Sequence, residues 1–398
     1  QAGTQLAVSL RERGYSGPVT LVGQESADPY QRPPLSKSYL LGKVDATNLT
    51  LRSANYLREH DIDYRAGVVV EHIDGAKRVV QFNSGDSLPY EHLVLATGAR
   101  NRRLPIPGFN AENVHSLRDL DDARRLRDVL GQHRKVAVIG AGFIGMEFAA
   151  VARQSGLDVT VIEFAGRPFA RALTDVMARR LRELHEAEGV HFKCRTEVTG
   201  VHVHASGMVS AISVAGGAPI TADLVLVGVG VEPNTELAQT AGVAVDNGIL
   251  VDAHLATNQP GIYAIGDCAR FPSVHADGRS VRLESVQNAV DQAKCLARTL
   301  TGESTEYCSI PWFWSDQYGS KLQIAGLSDG HDRTVIRQLP DKSGFSVYCM
   351  KGSTLLAVES IDRPADHLVA RKLIDQRVVL KDEEIKDPSV DLKAFLTG

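Results

Sequence analysis

The segment VAVIGAGFIGMEFAA, Val136 to Ala150, constrains this chain more than any other. Four apolar residues lead into Gly140, Gly142 and Gly145, spaced G-x-G-x-x-G, and a helix-forming run follows at once. The next apolar stretch, DVTVIE, ends in Glu163, eighteen residues beyond the third glycine. Strand, glycine turn, helix, strand and acid, in that order, make a dinucleotide-binding βαβ unit. The first glycine permits the tight turn. The second lets a diphosphate approach the backbone, and the third lets helix and strand pack closely. The helix N-terminus offers unpaired N–H groups and the positive end of its dipole to phosphates. Glu163 can accept a hydrogen bond from a ribose 2′-hydroxyl and would repel a 2′-phosphate.

The chain opens on similar material. Gln1-Ala2-Gly3 runs into an amphipathic helix expected over Thr4 to Arg13, with Leu6, Ala7 and Leu10 on one face, and a strand, VTLVGQE, ends in Gln24-Glu25. The distance from Gly3 to Glu25 is close to the roughly 20 residues expected of such a unit. We therefore read a second nucleotide-binding unit without its first strand and first two glycines, Gly3 being the third. An ordinary helix start after a disordered tail is the other reading of the same residues.

Length and composition set the bounds. The 398 residues call for about two to three domains. A net charge of −4 argues against nucleic acid as a partner. No apolar run approaches the roughly 20 residues of a membrane helix, and the first residues lack the basic-then-apolar order of a signal peptide. The cysteines, Cys194, Cys268, Cys295, Cys308 and Cys349, are odd in number and widely spaced. They read as reduced thiols of a cytoplasmic protein, Cys268 as a small buried residue. His202 and His204 could begin a metal site, but no third ligand lies nearby in sequence, so no metal is expected.

The remaining pattern is α/β. Strands are expected near Val68–Asp74 and Arg78–Asn83, a buried strand over Leu93–Ala99, and a linker over Arg102–Gly108. Helices are expected over Asp119–Leu130, Asp175–Glu188 (its charges a solvated face) and Gln287–Leu300. Buried runs occur at Leu224–Gly230 and Gly261–Ala269. Short strands and turns from about Pro311, with a helix over Asp366–Asp375, make an α+β end domain. The expected division is 1–108 and 234–308 as two parts of one Rossmann-like domain, 109–233 as a second, and 309–398 as the end domain.

Six segments occur in order: PYQRPPLSK (Pro29 to Lys37), LATGAR, GAGFIGMEFAA, AIGDCARF, RLESVQNA (Arg282 to Ala289) and PWFWSDQY (Pro311 to Tyr318). Together they resemble the FAD-containing, NADH-dependent ferredoxin reductases of bacterial cytochrome P450 and ring-hydroxylating dioxygenase systems, the putidaredoxin reductase-like family. The resemblance implies two nucleotide domains arranged as in glutathione reductase, FAD and NADH as cofactors, a [2Fe–2S] ferredoxin as partner and, indirectly, a P450 or dioxygenase. A monomer is expected.

The resemblance also implies roles. Ala2 and Gly3 would approach the FAD diphosphate, Gln24 or Glu25 would hold the adenosine ribose, and Arg32 would lie near the phosphates. Val70 and Arg118 would line the adenine and diphosphate side. Asp267 would bind the ribityl chain. Val286 would give an N–H to the flavin pyrimidine end, where the helix dipole stabilises reduced, anionic flavin. Trp314 would pack beside the isoalloxazine ring, with Trp312 at a partner surface. These two tryptophans are expected to alternate along a strand and so could face opposite ways. Lys37 would sit near flavin N5 and pair with Glu147, the two acting in catalysis. An exposed pair would be worth under about 1 kcal/mol. Gly140, Gly142, Ile144, Gly145, Glu147, Glu163 and Gly230 would bind NAD.

The chemistry so implied is hydride transfer from NADH to FAD N5, followed by two single-electron steps to the ferredoxin. Such ferredoxins are usually acidic, so docking needs a local basic patch. Lys294, Lys321, Arg337, Arg363, Arg371 and Lys372 are its candidates. Disulfide reductases and NADH peroxidases need a thiol near the flavin, and no cysteine precedes Cys194. An apoptosis-inducing-factor-like redox-sensing or scaffold flavoprotein would share the R-P-P-L-S-K segment and the lysine–glutamate pair, and stays open as the alternative.

Overall fold

The computed structural model describes residues 1–340 and 344–396. The chain forms two compact units. The first comprises Gln1–Gln31, Leu49–Arg100 and Glu232–Phe313; the second comprises Arg32–Asn48, Asn101–Val231 and Trp314–Gly398.

In the first unit, helix Ala2–Glu12 buries Ala2, Leu6, Ala7, Val8 and Leu10. These positions recur at helical spacing, so one face is apolar. The following strand, Val19–Gly23, pairs in parallel with Ile62–Ala66. A second parallel pair joins Leu93–Leu95 to Ile262–Ala264. Strands Val70–Asp74, Val79–Phe82 and Ser87–Pro89 form an antiparallel sheet. Helix Val286–Leu300 packs along helix Ala2–Glu12. Leu6, Leu10, Leu95, Ile262, Ile265, Ala293 and Leu296 belong to the shared core, and each fully buried leucine or isoleucine there is worth about 1.5–3 kcal/mol. The strand expected over Leu93–Ala99 stops at Leu95, and a separate short strand, Ala99–Asn101, resumes after Gly98 turns the chain at φ +66°.

The second unit contains a five-stranded sheet in the order His191–Cys194, Asp158–Glu163, Lys135–Ile139, Leu224–Val227, Val114–His115, parallel throughout. Its middle strand is buried at Val136, Ala137, Val138 and Ile139, which explains the unbroken apolar run: a parallel strand is covered on both faces. Asp119 caps helix Leu120–Leu130 by accepting from the Asp122 N–H. Thr174 caps helix Asp175–Ala187 by accepting from Met177. That helix exposes Arg179, Glu183 and Glu186, as a solvated face should, and buries Met177, Leu181 and His185. The Pro-Pro pair, expected as loop, starts a 3-10 turn, Pro33–Ser36; proline suits a first turn, where its missing N–H costs nothing.

Strands Trp312–Gln317, Ser320–Gly326, Thr354–Ile361, Phe345–Lys351 and Arg333–Gln338 lie side by side in that order. Helix Pro364–Asp375 packs on this sheet. Tyr318 and Gly319 join the first two strands at φ +52° and +85°, the positive values a two-residue hairpin turn requires.

Candidate functional site

The glycine turn of the second unit is built as its spacing demands. Gly140 has φ +96°, and a Cβ there would stand 2.4 Å from the Gly228 carbonyl oxygen. A Cβ on Gly145 would meet the Gly140 oxygen at 2.2 Å, so only glycine lets helix Phe143–Gln154 seat on the strand below. Gly142, by contrast, faces open space, with nothing within 4 Å of such a Cβ. The first and third glycines thus serve the protein's own packing, and the second leaves room for a ligand. Glu163 stands at this turn: its Oε2 accepts from the Ala141 N–H at 2.6 Å and its Oε1 from Ala165 at 2.7 Å. Ile144 is 43% exposed beside the turn. Gly230 has φ +103° and lies near the Arg171 guanidinium.

One helical turn past Gly142, Glu147 is 3% exposed. Lys37 Nζ is 2.8 Å from its Oε1. Ser36 Oγ donates to Oε2 and Ser315 Oγ to Oε1, each at 2.5 Å. With Glu147 buried and Lys37 half-buried, the pair is not an exposed surface contact. A desolvated carboxylate must be matched by donors, and here three side chains supply them. Helix Phe143–Gln154 also packs on the 3-10 turn Pro33–Ser36. The R-P-P-L-S-K segment is thereby fixed on the helix that opens the glycine turn.

The first unit supplies a different cradle. A Cβ on Gly3 would press on Leu21 Cδ1 at 3.2 Å and on the Ala96 methyl at 3.5 Å, the close helix–strand seat of a third glycine. Gly266 has φ +78°, and a Cβ there would lie 3.1 Å from the Ala2 methyl and 3.8 Å from that of Ala289. The first turns of helices Ala2–Glu12 and Val286–Leu300 therefore converge on the Gly266-Asp267 turn. Gln292 Oε1 accepts from the Gly266 N–H at 2.7 Å and Ser285 caps the second helix. Two helix N-termini at one glycine turn suit an anionic, diphosphate-bearing ligand. Glu25 accepts from the Tyr30 hydroxyl, Gln24 is exposed, and Val70 opens its strand.

The structure brings the NAD candidates Gly140, Gly142, Ile144, Gly145, Glu163 and Gly230 together with Glu147 and Lys37 in the second unit. Arg32 and Arg118 also belong there, joined by a 2.8 Å bond from Arg32 Nη1 to the Arg118 carbonyl. Trp314 is half-buried and opens that unit's last segment. Ala2, Gly3, Gln24, Glu25, Val70, Asp267 and Val286 belong to the first unit.

Three expectations need correction. Residues two apart on strand Trp312–Gln317 share a face, because the strand period is two, so Trp312 and Trp314 do not face opposite ways. Arg337 is buried and donates to the carbonyls of Ile385, Asp387 and Val390. Arg363 is buried against Asp366. Neither arginine can form a docking patch. Lys294, Lys321 and Lys372 are exposed. Among the described residues no group of three or more His, Cys, Asp or Glu side chains could hold a metal.

Sequence reasoning missed Ser36, Ser315 and Gln317. The signal was present: Ser315 and Gln317 are buried at alternate positions around exposed Asp316, so a polar strand face turns inward. His185, 0% exposed, was hidden in a charged helix. Its buried spacing with Met177, Ala178 and Leu181 is the trace it left.

Comparison with known proteins agrees with this geometry. Residues 1–293 match the family described as pyridine nucleotide-disulphide oxidoreductase, and residues 312–396 match the reductase C-terminal family. The chain is 49% identical to rhodocoxin reductase of Rhodococcus erythropolis over 99% of its length and 92% of the relative's. The crystal structure of the ferredoxin reductase for the CYP199A2 system from Rhodopseudomonas palustris is similar at TM-score 0.96 and 42% identity, covering 100% of this chain and 97% of that one. Putidaredoxin reductase, crystallised in a covalent complex with putidaredoxin, is similar at TM-score 0.95 and 38% identity, covering 99% and 95%. The chain belongs to the pyridine nucleotide-disulphide oxidoreductase family, and within it to the putidaredoxin reductase-like, FAD- and NAD-dependent ferredoxin reductases.

Proposed function

We propose that this protein passes electrons from NADH, through FAD, to a [2Fe–2S] ferredoxin serving a cytochrome P450 or a ring-hydroxylating dioxygenase. When bound, FAD accepts the two electrons of a hydride together and releases them singly, which matches a nicotinamide donor to an iron–sulfur acceptor. The chain's own residues bind, orient and exclude. Gly140, Gly142, Gly145 and the first turn of helix Phe143–Gln154 hold the NADH diphosphate, with Ile144 and Gly230 beside it. Glu163 takes the adenosine ribose and disfavours a 2′-phosphate. Ala2, Gly3, Glu25 (with Gln24), Val70, Asp267 and Val286 bind FAD from the first unit. Arg32, Arg118 and Trp314 are the remaining FAD candidates. Lys37 and Glu147 act as a fixed charge pair at the reacting end. Residues 1–108 and 234–308 form the FAD domain, 109–233 the NAD domain and 309–398 the end domain.

The observation that carries this reading is buried Glu147 paired with half-buried Lys37, the glutamate standing on the very helix that follows the nucleotide turn. A buried charge costs several kcal/mol unless it is paired, and such an expense beside a phosphate-binding turn marks a reacting centre. No helix among the described residues is long and apolar enough to cross a membrane. We place the protein in the cytoplasm, as a monomer, its five cysteines unpaired. The test is NADH oxidation by flavin-loaded protein with and without an acidic [2Fe–2S] ferredoxin. Turnover that depends on the ferredoxin is expected. Slow turnover with every ferredoxin offered, together with a long-lived flavin–NAD⁺ charge-transfer band, would refute the reading in favour of a redox-sensing flavoprotein.

A further inference from the structure

Glu147 is the end of a longer chain of donors. His185 Nε2 lies 2.7 Å from Gln317 Oε1. Gln317 Nε2 donates to Ser315 Oγ at 2.9 Å, and Ser315 Oγ donates to Glu147 Oε1 at 2.5 Å. All four side chains are buried. The polarity of this chain is determined by chemistry. A carboxylate only accepts, so the serine hydroxyl gives its proton to Glu147 and must accept from the amide N–H₂ of Gln317. That orientation leaves the amide oxygen facing His185, which must donate from Nε2. Nδ1 is buried with no hydrogen-bond partner, so a second proton there would be unsatisfied and the ring is neutral with Nδ1 bare. Burial pushes the ring's pKa down to about 4, which agrees with a neutral imidazole.

The helix that carries His185 is held at its other end too. Glu359, on strand Thr354–Ile361 and 0% exposed, accepts from both the backbone N–H and the hydroxyl of Thr174, the helix cap. Tyr318 packs edge-on against the His185 ring at 4.9 Å. One strand of the end sheet therefore holds the helix cap and another holds its last turn. The second of these reaches through to Glu147.

We propose that His185, Gln317 and Ser315 are positioning residues that fix the Glu147 carboxylate, and Lys37 with it, in the one orientation the hydride transfer uses. This rests on the proposed function. None of the three is placed against substrate or cofactor; each acts through Glu147. Buried networks of this kind are effective only when every member is satisfied. Losing the middle member strands His185 Nε2–H and unlocks Ser315, whose hydroxyl can then rotate off Glu147.

The experiment compares flavin-loaded parent protein with Gln317→Leu, His185→Phe, His185→Gln and Ser315→Ala. Gln at 185 can keep a neutral N–H where Nε2 stood. Stopped-flow reduction by NADH should be at least tenfold slower in Gln317→Leu, His185→Phe and Ser315→Ala, with KM for NADH within about twofold. His185→Gln should recover the rate to within about fivefold of the parent. In ¹⁵N-histidine NMR of the parent, His185 should carry its proton on Nε2 and should not titrate between about pH 6 and 8. Its Nε2–H signal should move or vanish in Gln317→Leu. If Gln317→Leu does not fold, Ser315→Ala and the tautomer decide. A proton on Nδ1, or parent-like reduction in correctly folded Ser315→Ala, would overturn the proposal. A parent not reduced by NADH at all would instead refute the function, and the tautomer would still test the network.

Discussion

The three glycines of the nucleotide turn should respond to alanine in opposite ways, and the contrast tests the site directly. At Gly140 the added methyl would lie 2.4 Å from a backbone oxygen, at a φ of +96°. The backbone cost of a left-handed residue is about 1–2 kcal/mol, and overpacking against a rigid neighbour adds roughly 1–3 kcal/mol. Gly140→Ala should therefore destabilise the second unit by about 2–5 kcal/mol. Gly145→Ala meets a backbone oxygen at 2.2 Å and should behave similarly. Gly142 has an extended backbone (φ −81°, ψ −177°) and open space around it. Alanine there should cost under about 1 kcal/mol, the price of a poorer helix cap. Its methyl would stand in the open space proposed for the diphosphate. Losing one or two charged hydrogen bonds, at about 1.5–3 kcal/mol in all, should weaken NADH binding roughly 10- to 100-fold. Urea unfolding and NADH titration of the three variants give both quantities. Gly142→Ala that binds NADH like the parent, or that unfolds as readily as Gly140→Ala, would refute the reasoning.

Further outcomes are expected elsewhere. Glu163→Ala removes the acid proposed to take the ribose, so the NADH-to-NADPH ratio of kcat/KM should fall at least tenfold; an unchanged ratio would contradict its assignment. His185 and His367 are both buried, with pKa values pushed down to about 4, by burial in each case and for His367 also by Arg371 and Lys321. A lowered folded-state value means that the unfolded chain binds the proton first. The stability these residues contribute is full above about pH 6.5 and lost as pH falls toward 4, on the order of 3 kcal/mol for each. Urea unfolding at pH 7 and 4.5 should show this loss, and His367→Gln should lessen it; an equal loss in that variant would contradict the assignment. Arg337→Met should destabilise the protein by about 3 kcal/mol by orphaning buried carbonyls, while leaving KM for an acidic ferredoxin unchanged. Lys321→Glu should raise that KM and flatten its dependence on salt; the reverse pattern would return Arg337 to the docking surface.

Much of this was legible because it rests on local backbone rules. The spacing of Gly140, Gly142 and Gly145 carried its own steric logic, and the structure shows why: a Cβ on the first or third would collide with a backbone oxygen. Asp119 and Ser285 mark helix starts by their capping chemistry. The boundaries that slipped did so for local reasons, such as Gly98 breaking an apolar run that periodicity alone would continue. Long-range polar contacts were the illegible part. Nothing local says that Ser315 reaches a glutamate 168 residues away, or that His185 meets Gln317 across 132. Arg337 and Arg363 looked like surface charge because composition does not reveal which guanidinium finds a buried carbonyl or an aspartate.

The central claim is that NADH bound at the Gly142 turn reduces a flavin held by the same chain. Anaerobic titration of flavin-loaded protein with NADH and with NADPH, followed at the yellow flavin band, tests it most directly. About one equivalent of NADH should bleach the band, and the same amount of NADPH should leave most of it. A band that persists in excess NADH, or a protein that takes up no flavin, would contradict the account.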